Sequence, residues 1–170
     1  MPSHAVRLRL AAEKYGETEL ALRAAALLDS GVEDAEFLGF VGGPPGAGVV
    51  DGSWPDYWAR SWGARTLEHY WVDAAAASVS GGLADEHWRV RMICARVCGK
   101  RELGVPERLA QLCRDDYWRV REAAARALGR VGEGEHADVL RSLLDDDNAT
   151  VRSTADAALT TLGDRLDREF

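Results

Sequence analysis

The stretch Asp115-Asp116-Tyr117-Trp118-Arg119-Val120-Arg121, running on to Ala127-Leu128-Gly129, recurs along the chain. Thirty residues earlier stands Asp85-Glu86-His87-Trp88-Arg89-Val90-Arg91, running on to Cys98-Gly99. Thirty-one residues later stands Asp146-Asp147-Asn148-Ala149-Thr150-Val151-Arg152, running on to Ala155 and Leu159. Self-similarity at a period near thirty is the signature of stacked helix pairs, because one pair alone cannot cover its apolar face. Each unit reads as a short helix, an acidic turn and a second helix. Ala74–Leu83, Val105–Cys113 and Glu135–Leu144 are the predicted first helices. Gly99, Gly104, Gly132 and Gly134 are read as punctuation at helix ends.

Upstream, the pattern is looser. Val6, Leu8, Leu10 and Ala11 give a helical spacing that Gly16 breaks. Thr18 stands where an N-cap belongs, ahead of Leu20, Ala24, Leu27 and Leu28, and Gly31 ends that helix. Asp34 is placed as the cap of a short third helix through Phe37, Leu38, Phe40 and Val41. The Gly/Pro run 42–48 reads as a surface loop. It is no phosphate loop, since it lacks the Gly-Lys-Ser/Thr ending and its prolines remove backbone donors. Asp56-Tyr57-Trp58 matches Asp116-Tyr117-Trp118, and Arg65 matches Arg126 one residue out of step. The expected organisation is a single domain, 1–170, with an irregular helical cap at 1–50 and repeats over 56–163.

The second helices resemble the short bacterial class of HEAT repeats, including those of the phycobilin-lyase type. The likeness lies in an acidic turn, then Val-Arg, then an Ala-rich helix closing on Leu-Gly. It is carried by Asp115, Val120, Arg121, Ala124, Ala127, Leu128 and Gly129, and in part by the other two copies. Trp88 and Trp118 depart from the proline that often opens this helix, and the Trp-Arg-Val-Arg variant is similar to that of actinobacterial HEAT-repeat proteins. The resemblance implies an all-α fold, a right-handed α-solenoid of about five antiparallel helix pairs with the N-terminal pair irregular. It also implies an inter-repeat ladder of Asp85, Arg91, Asp115, Arg121, Asp146 and Arg152, and second helices that line a concave groove.

On a 3.6-residue helix, Val120, Ala123, Ala124, Ala127 and Leu128 share one face. Positions 119, 122 and 126 then point outward, as do 89, 92 and 96, and 150, 153 and 157. The partner-binding candidates are therefore Arg89, Met92, Arg96, Arg119, Glu122 and Arg126, joined by Arg65 from the first repeat. Trp88 and Trp118 stand at the edge of this row, where they pack between repeats or anchor a partner. Trp54, Trp62 and Trp71 are assigned to the core.

The net charge of −7 excludes a general nucleic-acid or anionic-membrane binder, yet leaves room for a local arginine stripe. Only Lys14 and Lys100 are lysines among 21 basic residues, and arginine is the better partner for planar carboxylates. Three cysteines without scaffold spacing, and no long apolar run, point to a reducing cytoplasm. Cys94 and Cys98 align with core positions Ala124 and Leu128, and Cys113 with Leu83 and Leu144, so all three read as packing. Glu68-His69, Glu86-His87 and Glu135-His136 invert the His-Glu order of the HEAT-repeat iron enzyme deoxyhypusine hydroxylase, and they fall out of register with one another. No catalytic, cofactor or metal residues are assigned, and no cofactor is expected. The expected function is a non-enzymatic scaffold or adaptor holding a protein or acidic peptide in the groove. The competing class is an enzyme on a HEAT scaffold: hydroxylase-like, bilin-lyase-like, or alkylpurine-DNA-glycosylase-like.

Overall fold

A computed structural model describes residues 2–31, 33 and 35–170. Among these, all regular structure is helical, and no helix is long and apolar enough to cross a membrane. The chain divides into two compact units, 1–82 and 83–170.

The first unit holds α1 (His4–Tyr15), α2 (Glu17–Ser30), α3 (Ala35–Gly42), α4 (Pro45–Val50), α5 (Tyr57–Leu67) and α6 (Ala76–Gly82), the last preceded by a 3-10 turn at Asp73–Ala75. Its core gathers Leu8, Leu20, Leu27, Phe37, Val41 and Trp62. α2 lies against α5 so closely that a Cβ on Gly63 would stand 2.6 Å from the Ala24 carbonyl oxygen. Gly16 alone joins α1 to α2. Its φ of 81° is open to glycine and strained for other residues, so the turn needs no further loop. The N-cap of α2 is accordingly Gly16 rather than Thr18, which lies exposed in the first turn. The expected cap Asp34 lies outside the described residues.

Two further expectations for this unit change. The run 42–48 is not one open loop, because Pro45 starts α4 within it. Proline suits a first helical turn, where its missing N–H has no acceptor to satisfy. Gly46 is buried, and a Cβ there would come within 2.3 Å of Leu38 O, so the glycine serves close packing of α4 on α3. Trp54 is 39% exposed and not core, although it tilts against Trp58 at 5.4 Å; Trp62 is buried and Trp71 half-buried.

The second unit holds α7 (Trp88–Arg101), α8 (Pro106–Leu112), α9 (Trp118–Val131), α10 (Ala137–Ser142) and α11 (Ala149–Leu166). α9 packs against both α7 and α11, with α8 beneath it, while α10 packs on α11. Val90, Cys94, Cys98, Leu109, Val120, Leu128, Leu140 and Val151 are all fully buried. Burial pushes the Cys98 and Cys113 thiols up to about 12, which keeps them protonated and inert. Cys113 aligns with buried Leu143 and not with Leu144, which is 37% exposed. The third repeat takes up its extra residue in a 3-10 turn at Leu143–Asp145, which begins at that core position.

Gly99 and Gly129 are likewise not helix ends. Each lies inside its helix, where a Cβ would approach the next second helix too closely: 2.9 Å from Ala127 Cα, and 2.8 Å from Ala158 O. These paired small residues set how near α7, α9 and α11 can come. Gly129→Ala gains roughly 1 kcal/mol in helix propensity but forces backbone against backbone, an overpacking cost of about 1–3 kcal/mol. A lower urea midpoint is expected. Gly81→Ala in α6, with open space around it, is expected to be neutral or slightly stabilising, and equal effects of the two changes would contradict this packing account.

Candidate binding face of the second helices

Each acidic turn of the second unit is built the same way. The first aspartate turns its Oδ1 back to accept a backbone N–H two residues on: His87 N for Asp85 (2.8 Å), Tyr117 N for Asp115 (2.9 Å) and Asn148 N for Asp146 (2.8 Å). This Asx geometry fixes the approach to the helix. The arginine six residues after each aspartate folds back over its own turn. Arg121 donates Nη1–H to the carbonyls of Asp115 (2.9 Å) and Asp116 (3.2 Å), and Arg91 does the same to Asp85 and Glu86.

The remaining guanidinium edge reaches the next turn. Arg91 Nε and Nη2 grip both oxygens of Asp115 at 2.7 and 3.0 Å. Arg121 grips Asp146 at 2.7 and 2.9 Å. These are bidentate, charge-assisted pairs, with the Arg121 and Asp146 side chains only 17% and 7% exposed. Arg152 makes the backward half alone, through Asp146 O (2.7 Å) and Asp147 O (3.2 Å).

With its two flanks and base covered, α9 shows solvent a single stripe. Arg119, Arg126 and Arg130 are exposed and Glu122 is half-buried, at spacings of three and four. The equivalent stripe of α7 is Arg89, Met92, Arg96 and Lys100, of which Arg96 and Lys100 are exposed and the other two half-buried. α11 offers Thr150, Ser153, Ala157 and Thr161, all exposed. Between α9 and α11 runs a cavity of about 320 Å³ lined by Arg126, Arg130, Ser153, Thr154, Ala157 and Thr161. Glu122 reaches Arg126 Nε at 3.1 Å and takes a hydrogen bond from Thr154 Oγ1 at 3.4 Å. Arg130, Thr154 and Thr161 were not singled out from sequence. Arg130 lies one turn beyond Arg126, so extending the 119–122–126 stripe by four finds it. Extending the 150–153–157 stripe by four likewise finds Thr161, whereas Thr154 carries no such signal.

At the helix starts, Trp88 lies flat on Tyr117 of the next repeat, centroids 4.2 Å apart and planes within 4°. Tyr117 remains 41% exposed. Arg119 sits 4.4 Å above the Trp118 ring and 5.9 Å from Trp88, while Arg89 is 4.9 Å from Trp88. Tyr117 completes this group and was missed because the adjacent repeats carry His87 and Asn148 there, although Tyr57 of the first repeat matches it. Arg65 belongs to the first unit, where its charge, after burial itself, helps hold His4 down at about 4.

Two other places gather polar side chains. Glu107, Glu135 and His136 bring ligand-type atoms within 4.8 Å of one another. His136 Nδ1 accepts the Glu133 N–H at 2.9 Å, so the neutral ring carries its proton on Nε2 and neither nitrogen offers a free lone pair. A second cavity of about 510 Å³, beside α10 and α11, mixes Arg141 and Arg168 with Asp156, Asp164 and Glu169, and so favours neither sign of ligand.

Residues 105–168 match the family model for HEAT repeats. No curated protein matches the chain.

The pairing with Arg121 holds the Asp146 carboxyl below the usual carboxylate range, with backbone donation from Asn148 adding to it. A depressed carboxylate stabilises the fold above its unfolded value of about 3.9, and that contribution is lost as pH falls through the folded value. Asp146→Asn is expected to cost about 1.5–3 kcal/mol at pH 7, the worth of hydrogen bonds to a charged group. The gap to wild type should close in acid. Urea titrations at pH 7 and pH 3 measure it; a gap independent of pH would show that the charge of Asp146 contributes nothing.

Proposed function

We propose that this protein is a non-enzymatic scaffold that holds an acidic segment of a partner protein on the exposed face of α7, α9 and α11. The supporting observation is the α9 stripe. In a chain of net charge −7, the residues this helix offers to solvent are Arg119, Arg126 and Arg130, with Glu122 the one acid among them. A buried helix needs no particular residues on its solvent stripe, so the concentration of one sign there bears on recognition. Opposed charges raise encounter rates and exclude partners of like charge. Stacked helical repeats generally present extended surfaces of this kind to proteins. The finer kinship, with short bacterial repeats of the phycobilin-lyase type, rests on the Val-Arg to Leu-Gly pattern of residues 120–129.

Charge reversal tests this reading. Arg119→Glu combined with Arg130→Glu should abolish recovery of a bound protein from host lysate. The matched control, Arg114→Glu with Arg165→Glu, should leave recovery intact, and recovery by wild type should fall as salt is raised. Circular dichroism checks that each variant stays helical. An unchanged set of recovered proteins with the first variant would remove the stripe from the binding site.

A further inference from the structure

Resting on that reading, we propose that the second-helix face recognises a bipartite linear segment, with an aromatic ring at one end and a carboxylate about four to six residues away. The ring lies on the outer face of Tyr117, and the carboxylate enters the groove between α9 and α11 at Arg126 and Arg130.

Tyr117 gives one face to Trp88, at 4.2 Å and nearly parallel, yet keeps 41% exposure. An exposed ring whose other side is already braced is a rigid platform, and stacking on it orders little that is mobile. Its neighbour Arg119 lies over Trp118, adding a guanidinium edge beside the platform. Tyrosine, tryptophan and arginine are the residue types that dominate binding energy at interfaces.

The groove supplies the second site. Its lining includes Arg126 and Arg130 and no acid, with Ser153 and Thr161 on the α11 side, where the Thr161 hydroxyl donates to Ala157 O at 2.9 Å. Glu122 occupies part of the same charge from within the chain, through its contacts to Arg126 Nε at 3.1 Å and Thr154 at 3.4 Å. It acts as an internal stand-in for the ligand carboxylate, which must compete with it for Arg126. The helix fixes the spacing of the two sites. From residue 117 the rise along α9 is about 14 Å to residue 126 and about 20 Å to residue 130. An extended peptide advances about 3.3 Å per residue, so the same span takes about four to six residues.

The probes are fluorescein-labelled peptides, Trp-(Gly/Ser)n-Glu-Glu with spacers of one, four and nine residues, measured by anisotropy against the full chain at low salt. Two controls replace Trp by Ala, or both Glu by Gln. The four-residue spacer is expected to bind roughly tenfold more tightly than either other length. Tyr117 caps α9 without a side-chain hydrogen bond, so Tyr117→Ser removes the ring while placing a favoured N-cap residue there, and should erase the advantage of Trp over Ala in the probe. Arg130→Gln should erase the advantage of Glu over Gln. Glu122→Gln should tighten binding of the wild-type probe severalfold by removing the internal competitor. Acidic probes that bind equally with or without Trp, or at every spacer length, would overturn the bipartite reading and leave the acidic-partner reading standing. Absence of binding by every acidic probe, to wild type and to Glu122→Gln alike, would overturn both.

Discussion

One guanidinium shared between two successive turns sets the geometry of residues 83–170. Arg121 spends one nitrogen on the carbonyls of its own turn and two on the aspartate of the next, and Arg91 does the same a repeat earlier. The aspartate it grips is itself the residue that shapes the following turn, through its hydrogen bond to a backbone N–H. Turn shape and inter-repeat register are thus one constraint. The paired glycines and alanines complete it: Gly99 admits Ala127, and Gly129 admits Ala158, so the second helices approach at backbone distance. An alanine-rich helix has little apolar volume to specify its own position. Bidentate ion pairs and close contacts supply that specificity.

The same packing determines where recognition can occur. A helix covered on both flanks and beneath retains one narrow stripe, and residues on that stripe are released from any duty to the core. In α9 the stripe is occupied by arginines and one glutamate, in α11 by hydroxyl and small residues. Repeats that share the turn aspartate, the arginine six residues on and the buried valine before it therefore differ on the exposed face. The aromatic edge follows a similar logic. Trp88 stacks on the residue that follows the acidic turn of the next repeat, and the series stops at Tyr117 because Asn148 holds that position in the third copy.

Residues 1–82 follow other rules. Their core is built from aromatic and leucine side chains, and their helices meet through single-glycine devices: Gly16 turns the chain between α1 and α2, and Gly63 lets α5 lie on α2. Glycine read locally signals a loop or a helix end. Here Gly46, Gly63, Gly99 and Gly129 mark places where another backbone passes, and all four sit within helices. Local pattern does not hold that information, because the reason for the glycine lies in a different part of the chain.

The periodic part of the chain was legible from local pattern. The spacing of Asp, Val-Arg and Leu-Gly near thirty identified helix pairs, the buried face of α9 and the exposure of positions 96, 119, 126, 150, 153 and 157, though Arg89, Met92 and Glu122 are half-buried, since a 3.6-residue repeat fixes faces from spacing. The folded arrangement settles what crosses between elements. It paired Arg91 with Asp115 and Arg121 with Asp146, laid Trp88 on Tyr117, exposed Trp54, and joined Arg130 to Ser153 and Thr161 in one groove. Those partners come from different helices, often 24 or more residues apart in the chain. Their meeting depends on how closely two helices approach, a distance set by small residues that carry no signal of their own.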